Sequence, residues 1–406
     1  SLSQILKKGD DMRIYTPITP YEPTVPVTQP PVSTEISKKK QKKNKKQKKS
    51  VDGNNSVERD SFALAYLRCF LNPVYLTDDA VNDISDEFVN NSSIQLGDFL
   101  REDLAEKIEA LAIADDTAAG LGQCKIPPSY EIGAVSTGYV SDKRKKPSKS
   151  QKSKIGTGEK DDNGRWTVVG PPHKRRYLLY EEQTQTEAQA PTDITINEEY
   201  VSSIIAGATS LGSLLAFVNK HLFKSSIFNS YFLPLVTNCK VTGSRGELRR
   251  FRPGLDYTVA HFGMLTEEPK LDCTLCFAYE NTDDADNRED SDEEEEEAEA
   301  DDSWEGGDVG GFECYVAAED DAAEVGASEV YQVATDSDQA ESTAQKKTSK
   351  KSQGLEDENE LLSISAGFNV LSIVVRDEKV MKFVKYINTA APGSRWDITA
   401  EYEFEN

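Results

Sequence analysis

Only three histidines stand in the chain, His173, His221 and His261, and that scarcity limits the chemistry open to it. His173 sits in the run Gly170-Pro171-Pro172-His173-Lys174-Arg175-Arg176, which reads as a surface turn. His221 follows an apolar helical stretch. Both read as ordinary surface or cap histidines rather than ligands. Cys273-x-x-Cys276 has the spacing of a zinc or redox pair, but it falls inside a strand-like run with no second pair nearby. Residues three apart on a strand face opposite sides, so structural cysteines are expected. Thr242-Gly243-Ser244-Arg245-Gly246 lacks the Lys-Ser/Thr ending of a phosphate loop. No Gly-x-Ser-x-Gly elbow supports a hydrolase. The carboxylate run Asp292 to Glu297 has no alternating ligands and no central glycine, so it reads as a solvated acidic loop rather than a calcium site.

The elements that could position these residues fall into blocks. The 406 residues are 37% hydrophobic with a formal net charge of −24, too polar throughout to fill several cores. Glu280 to Asp302 holds fifteen carboxylates against one arginine and carries most of that charge. Residues 1–60 read as an arm and linker: Pro17, Pro20, Pro23, Pro26, Pro30 and Pro31 favour extended chain, and nine lysines follow between Lys38 and Lys49. That lysine run fits nuclear import or RNA contact and fits a solubilising linker equally well. One domain over 61–406 is expected, with disordered insertions at 113–163, 280–302 and 319–357. Scattered cysteines suggest reduced thiols, in cytosol or nucleus. Val201 to Val218, the one long uncharged stretch, is too rich in Ser, Thr and Gly for lipid and reads as buried helix, so no membrane is expected.

Helical spacing runs from Ser61 to Ala112, through Phe62, Leu64, Leu67, Phe70 and Leu71 and then Val81, Ile84, Phe88, Ile94, Leu96, Phe99, Leu100, Leu104 and Ile108. Ile194 to Phe232 predicts one or two further helices. From Leu235 onward, eight short β-favouring runs follow: Arg245 to Phe251, Asp256 to His261, Leu271 to Tyr279, Gly311 to Val316, Leu361 to Ser365, Asn369 to Arg376, Met381 to Asn388 and Trp396 to Phe404. The expected fold class is mainly β: a jelly-roll or double-stranded β-helix barrel with helices packed on one face.

Several phrases in the strand region resemble the iron- and 2-oxoglutarate-dependent prolyl hydroxylases. Arg249-Arg250-Phe251-Arg252-Pro253-Gly254 followed by Tyr257 and His261 is similar to their R-x-Y-x-x-G-x-Y-x-x-H opening. Trp304, Gly310-Gly311-Phe312 and Tyr315 are similar to their middle turn, and Leu361-Leu362 through Asn369-Val370-Leu371 to a later strand pair. Together with Leu71-Asn72-Pro73 and Gly170-Pro171-Pro172-His173, these resemble the C-terminal half of the hydroxylases that modify a small-subunit ribosomal protein. The resemblance implies tandem barrels, the first catalytic and the second given to interaction or controlled degradation. It implies that Fe(II), 2-oxoglutarate and ascorbate act in a catalytic barrel upstream of Ser1, and that this segment itself carries no cofactor. It further implies protein partners, basic ones such as a ribosomal protein, in cytoplasm and nucleus, with direct nucleic-acid contact left open.

Such oxygenases hold iron with two histidines and one carboxylate. By the resemblance, His261 stands at the first ligand position and Gly263 at the carboxylate position, where it offers no oxygen. The distal histidine position falls near Lys385 or Tyr386, and Arg395 stands where the 2-oxoglutarate-gripping arginine belongs. His261, Gly263, Lys385 and Arg395 are thus expected as vestigial positions, without bound metal. Arg175 and Arg176, on a segment pre-ordered by two prolines, are candidates for partner binding, against the alternative that they only pair with nearby acids. Two rival readings stand beside this one: an oxygenase with altered ligands, and a free-standing nuclear scaffold whose charged tails bind.

Overall fold

In the computed structural model of the chain, the described residues are 14–21, 60–122, 164–182, 196–280, 304, 309–318 and 360–405. Most of the lysine run, the acidic run and the expected insertions lie outside them.

The alternation of side chains builds the barrel. Strands β5 (Lys240–Phe251), β7 (Lys270–Phe277), β10 (Phe368–Arg376) and β12 (Arg395–Glu405) form the centre of a large antiparallel sheet, in the order β10-β7-β12-β5. The intervening strands go to a facing sheet: β8 (Glu313–Ala317), β9 (Glu360–Ile364) and β11 (Val380–Val384) pair in the order β11-β8-β9. The short β6 (Tyr257–Thr258) meets β11 where the Thr258 hydroxyl accepts from the Val384 amide at 2.6 Å. This exchange of successive strands between two sheets is the double-stranded β-helix. All eight strand runs expected from the sequence are present within a few residues.

Four strands beyond the eight expected from the sequence extend the large sheet. Strands β3 (Gly164–Val169) and β4 (Arg175–Glu182) add beside β5, while β2 (Ser93–Leu96) adds beside β10. The helical spacing of Ile94 and Leu96 does not become helix. Ser92 takes a left-handed conformation that ends the preceding helix, and the two apolar residues then alternate on β2. Inside the expected linker, β1 (Thr16–Pro17) pairs with Ser244 and Gly243 of β5, so the described stretch 14–21 of the proline arm docks on the domain.

Helices cover one face of the large sheet. They are α1 (Ser61–Arg68), α2 (Asp78–Asn91), α3 (Glu102–Ala118), α4 (Glu198–Gly207), α5 (Leu211–Val218) and α6 (Leu233–Thr237). Asp60, Thr77, Asn197 and Ser210 cap α1, α2, α4 and α5 by accepting from backbone amides. The apolar stretch Val201 to Val218 is broken between α4 and α5, and among the described residues no helix is long and apolar enough to cross a membrane. Leu248, Leu271, Cys273, Leu275, Leu371, Ile373, Trp396, Ile398 and Tyr402 point from the sheet into the helices and form the main core. The alternate residues of the same strands point into the barrel.

Helix α3 runs past Ala112 into what was expected to be a disordered insertion, and it carries Asp116. Asp116 is buried and accepts from the Arg250 guanidinium at 2.5 Å, the Tyr279 hydroxyl at 2.8 Å, and the Ser394 amide and hydroxyl, both at 2.6 Å. Arg250 also lies 4.1 Å from the centre of the Trp396 ring. One carboxylate thus ties the end of α3 to β5, to the end of β7 and to the start of β12. Asp116→Ala leaves the Arg250 charge buried without its anion and is expected to lower the unfolding free energy by about 3–5 kcal/mol. The exposed neighbour Glu106→Ala should shift it by less than about 0.5 kcal/mol. Urea unfolding of the two variants checks both values.

Candidate functional site

The barrel interior is divided. At one end Tyr177, Phe251, Cys276, Ala278, Trp304, Val309 and Ile387 make a small apolar core. The rest is charged. Arg249 grips Asp397 through two bonds of 2.7 and 3.0 Å, and Asp397 also accepts from Arg395 at 3.2 Å. Arg395 reaches Glu313 at 3.4 Å, Glu313 meets Lys382 at 3.0 Å, and Lys382 lies 3.9 Å from Asp272. Asp272 binds Arg376 at 2.7 Å, and Arg376 donates to Glu401, which lies 3.7 Å from Arg245. Cations and anions therefore alternate across β5, β12, β8, β11, β7 and β10 in one unbroken chain.

This arrangement sets the protonation states. Burial works to raise the Glu313 carboxyl, but Lys382, then Arg395 and Arg249, outweigh it and pull it from 4.5 down to about 2. Burial works to lower Arg249, Arg376 and Arg395, and the adjacent carboxylates reverse that and hold all three above the ordinary arginine value; for Arg395 the neighbouring Cys276 contributes as well. Glu313 and the three arginines are thus charged near neutral pH, and none of the four is a poised acid or base. Burial also raises Cys273 and Cys276, which face opposite sides of β7 as expected, so neither is an activated thiol.

The charged end opens into a cavity of about 130 Å³. His261 and Gly263 line it, together with Asp272, Arg376 and Lys382. His261 is buried and precedes the single turn Phe262–Met264. The expected vestigial positions therefore separate. His261 and Gly263 share the cavity, and Arg395 lies deeper, where its guanidinium is taken by Asp397, Glu313 and the Gly311 carbonyl. Lys385 is exposed on the outside, 5.9 Å from the Phe312 ring centre. The lysine that faces inward is Lys382, three residues earlier, because β11 ends at Val384 and only its alternate positions reach the interior. The sequence reading missed Lys382, and also Asp272, Glu313 and Asp397.

The donor set does not fit Fe(II). His261 faces Arg376 and Lys382 across the cavity, Gly263 contributes no oxygen, and the nearby carboxylates Asp272 and Glu401 are engaged by arginine. Among the described residues no three His, Cys, Asp or Glu side chains group as a metal site. His221 packs on Phe217 with ring centres 4.8 Å apart, and burial lowers its pKa; His173 is exposed in the turn before β4. Neither joins the barrel.

The partner candidates are also altered. Arg175 and Arg176 belong to β4, where they pair with Thr258 and Tyr257, rather than to a free turn. Arg176 is largely covered and lies 3.6 Å from the fully buried Asp256, which is bound bidentately by Arg252 at 2.8 and 3.2 Å. Its guanidinium thus faces an internal carboxylate. Arg175 donates to the Gly170 carbonyl at 3.1 Å and lines the cavity mouth.

The family model described as "oxoglutarate and iron-dependent oxygenase degradation C-term" matches residues 63–406. The chain belongs to this family. It is also 27% identical over 349 residues to a prolyl 3,4-dihydroxylase, OGFOD1, of Ostreococcus tauri, covering 86% of this chain and 50% of that protein. The chain thus spans about half the length of that curated relative. Among solved structures, a Pseudomonas putida prolyl-4-hydroxylase aligns at 10% identity and TM-score 0.30, covering 80% of this chain and 99% of that one. A Trichoplax adhaerens prolyl hydroxylase, solved with a hypoxia-inducible-factor peptide, aligns at 11% identity and TM-score 0.29, covering 80% and 89%. This family member thus carries a double-stranded β-helix barrel with a charge chain in its interior.

The depressed Glu313 carboxyl has a pH signature. Its stabilisation is fully present above the unfolded value of 4.5 and is lost as pH falls through the folded value of about 2. Stability should drop between those limits by about 3 kcal/mol from this group. Glu313→Gln should flatten that part of the profile, as measured by urea unfolding at stepped pH.

Proposed function

We propose that this chain is the non-catalytic, partner-binding half of a 2-oxoglutarate- and Fe(II)-dependent prolyl hydroxylase. Hydroxylation of a ribosomal-protein proline, with Fe(II), 2-oxoglutarate and ascorbate, belongs in this reading to a separate catalytic barrel of the same protein. The observation that carries the reading is Lys382 and Arg376 standing with Asp272 beside His261, where the fold's chemistry would need ligands. Support comes from the aligned dihydroxylase, of which this chain covers half. A barrel kept in full while its interior is given over to ion pairs serves as a rigid body whose outer surface can be recognised.

The partner in this reading is a basic protein. The fifteen carboxylates of Glu280 to Asp302 give an electrostatic field that draws such a partner in, while the folded surface determines how long it stays. The lysine run from Lys38 supports residence in the nucleus as well as the cytoplasm.

Two measurements test the proposal. The chain supplied with Fe(II), ascorbate and 2-oxoglutarate should release no succinate above the metal-only background, and His261→Ala should leave that background unchanged. Succinate release abolished by His261→Ala would overturn the reading in favour of an oxygenase with altered ligands. Replacing Glu293 to Glu297 by Gly and Ser should slow association with a basic ribosomal protein several-fold and flatten its salt dependence, because exposed charges are screened over about 8 Å at physiological salt. Dissociation should be unchanged. Loss of all binding on this replacement would instead make the acidic run itself the binding element.

A further inference from the structure

Between β6 and β11 the two sheets are joined by a side chain rather than by a ladder of backbone bonds. Among the described residues the strands meet where the Thr258 hydroxyl accepts from the Val384 amide at 2.6 Å, and β6 directs its backbone pairing to β4. A groove of about 250 Å³ lies here. Tyr257, Val259, Val316, Phe383 and Tyr386 line it, and its one charged residue is Lys385. The Tyr257 ring is held by its hydroxyl, which donates to the Pro172 carbonyl at 2.6 Å, and it lies 6.4 Å from the Tyr386 ring. Tyr386 is nonetheless 46% exposed. An anchored tyrosine beside an exposed one, over an apolar groove, has the composition of an interface centre.

The groove runs into the charged cavity, since Thr258, Val259 and Phe383 line both. Arg175 lines that cavity and is registered beside the groove by its pairing with Thr258. Its Nε donates to the Gly170 carbonyl at 3.1 Å, which leaves the two terminal nitrogens of the guanidinium. Among the described residues no carboxylate pairs with it. The carboxylates that line the same cavity are engaged elsewhere. Asp272 and Glu401 accept from Arg376, and Glu247 accepts from the Tyr177 hydroxyl at 2.9 Å. An apolar groove whose charged residue is a cation, opening onto a guanidinium without a carboxylate, is complementary to a chain that carries an apolar side chain close to an acid.

We propose that the groove and Arg175 together bind an extended segment of a partner protein in which a large apolar residue stands a few positions from an Asp or Glu. The apolar side chain fills the groove against Phe383 and Tyr386, and the carboxylate takes the terminal nitrogens of Arg175. The acidic run draws a basic partner by the opposite sign of charge, so this site stands even if that partner does not bind.

Selection of a random heptapeptide display library on the full chain tests it, because the library samples every spacing of apolar and acidic residues. The enriched peptides should carry a large apolar residue near an Asp or Glu. The best of them, followed by fluorescence anisotropy, should lose at least about fivefold in affinity to Tyr386→Ala and to Arg175→Gln. Converting the peptide's acid to its amide should weaken binding to the wild-type chain and leave binding to Arg175→Gln unchanged, a coupling that a merely structural Arg175 would not show. Lys240→Gln, at the opposite end of β5, should have no effect. Both groove variants should keep the wild-type urea midpoint, since Tyr386 is exposed and Arg175 bonds only a carbonyl. A library that yields no such peptide, or a selected peptide bound equally by wild type and both groove variants, would overturn the proposal. So would binding of oligouridylate in place of peptide, or a dimer of the chain that Tyr386→Ala dissolves, since either gives the groove a different occupant.

Discussion

The pairing of Arg395 with both Asp397 and Glu313 is the contact on which the barrel interior turns. It joins β12 of the large sheet to β8 of the facing sheet, and without it the two halves of the charge chain would be separate clusters. Ion pairs inside a protein are poor sources of net stability, because desolvation offsets most of their attraction. They are strict about geometry, however, since any one charge left alone is expensive. The charge chain therefore fixes which sheet face meets which. The apolar core outside the large sheet supplies most of the driving force.

The same requirement shapes the surroundings of the buried His261. Arg376 and Lys382 make the cavity strongly cationic on the His261 side, and Asp272 is held by both of them. A carboxylate in that position is already neutralised. Arg395 and Asp272 are both saturated by protein groups.

Much of the barrel was legible in the sequence. Each of its eight strands announced itself through β-branched and aromatic runs bounded by Gly, Pro or acidic segments, and the Trp304, Gly310-Gly311 and Asn369 phrases fixed the family resemblance. The interior was not legible, for a physical reason. Asp272-x-Thr274 on β7 and Asp397-x-Thr399-x-Glu401 on β12 look like the solvent face of a half-buried strand. The structure buries Asp272, Thr274 and Asp397 against cations from distant strands. Only long-range pairing tells a wet polar face from a dry one, and local periodicity carries no such information. The same gap placed Lys385 inside in place of Lys382, a matter of strand register, and assigned Asp116 to an insertion. The arm was misread because prolines do indicate extended chain, yet say nothing about whether that chain docks.

Trp304 closes the apolar end of the barrel. Its indole N–H donates to the Tyr279 carbonyl at 3.0 Å and its backbone amide to Glu280 at 3.1 Å, while Gly311 leaves room for the ring, since a β-carbon there would come within 2.8 Å of it. The two ends of the segment between residues 280 and 304 are thus clasped together at the barrel rim. The strands on either side therefore do not sense the length of sequence between the clasped ends. Evolution can lengthen, shorten or recompose that sequence at little energetic consequence. A protein engineer could use the same point to splice in a reporter domain without disturbing the fold.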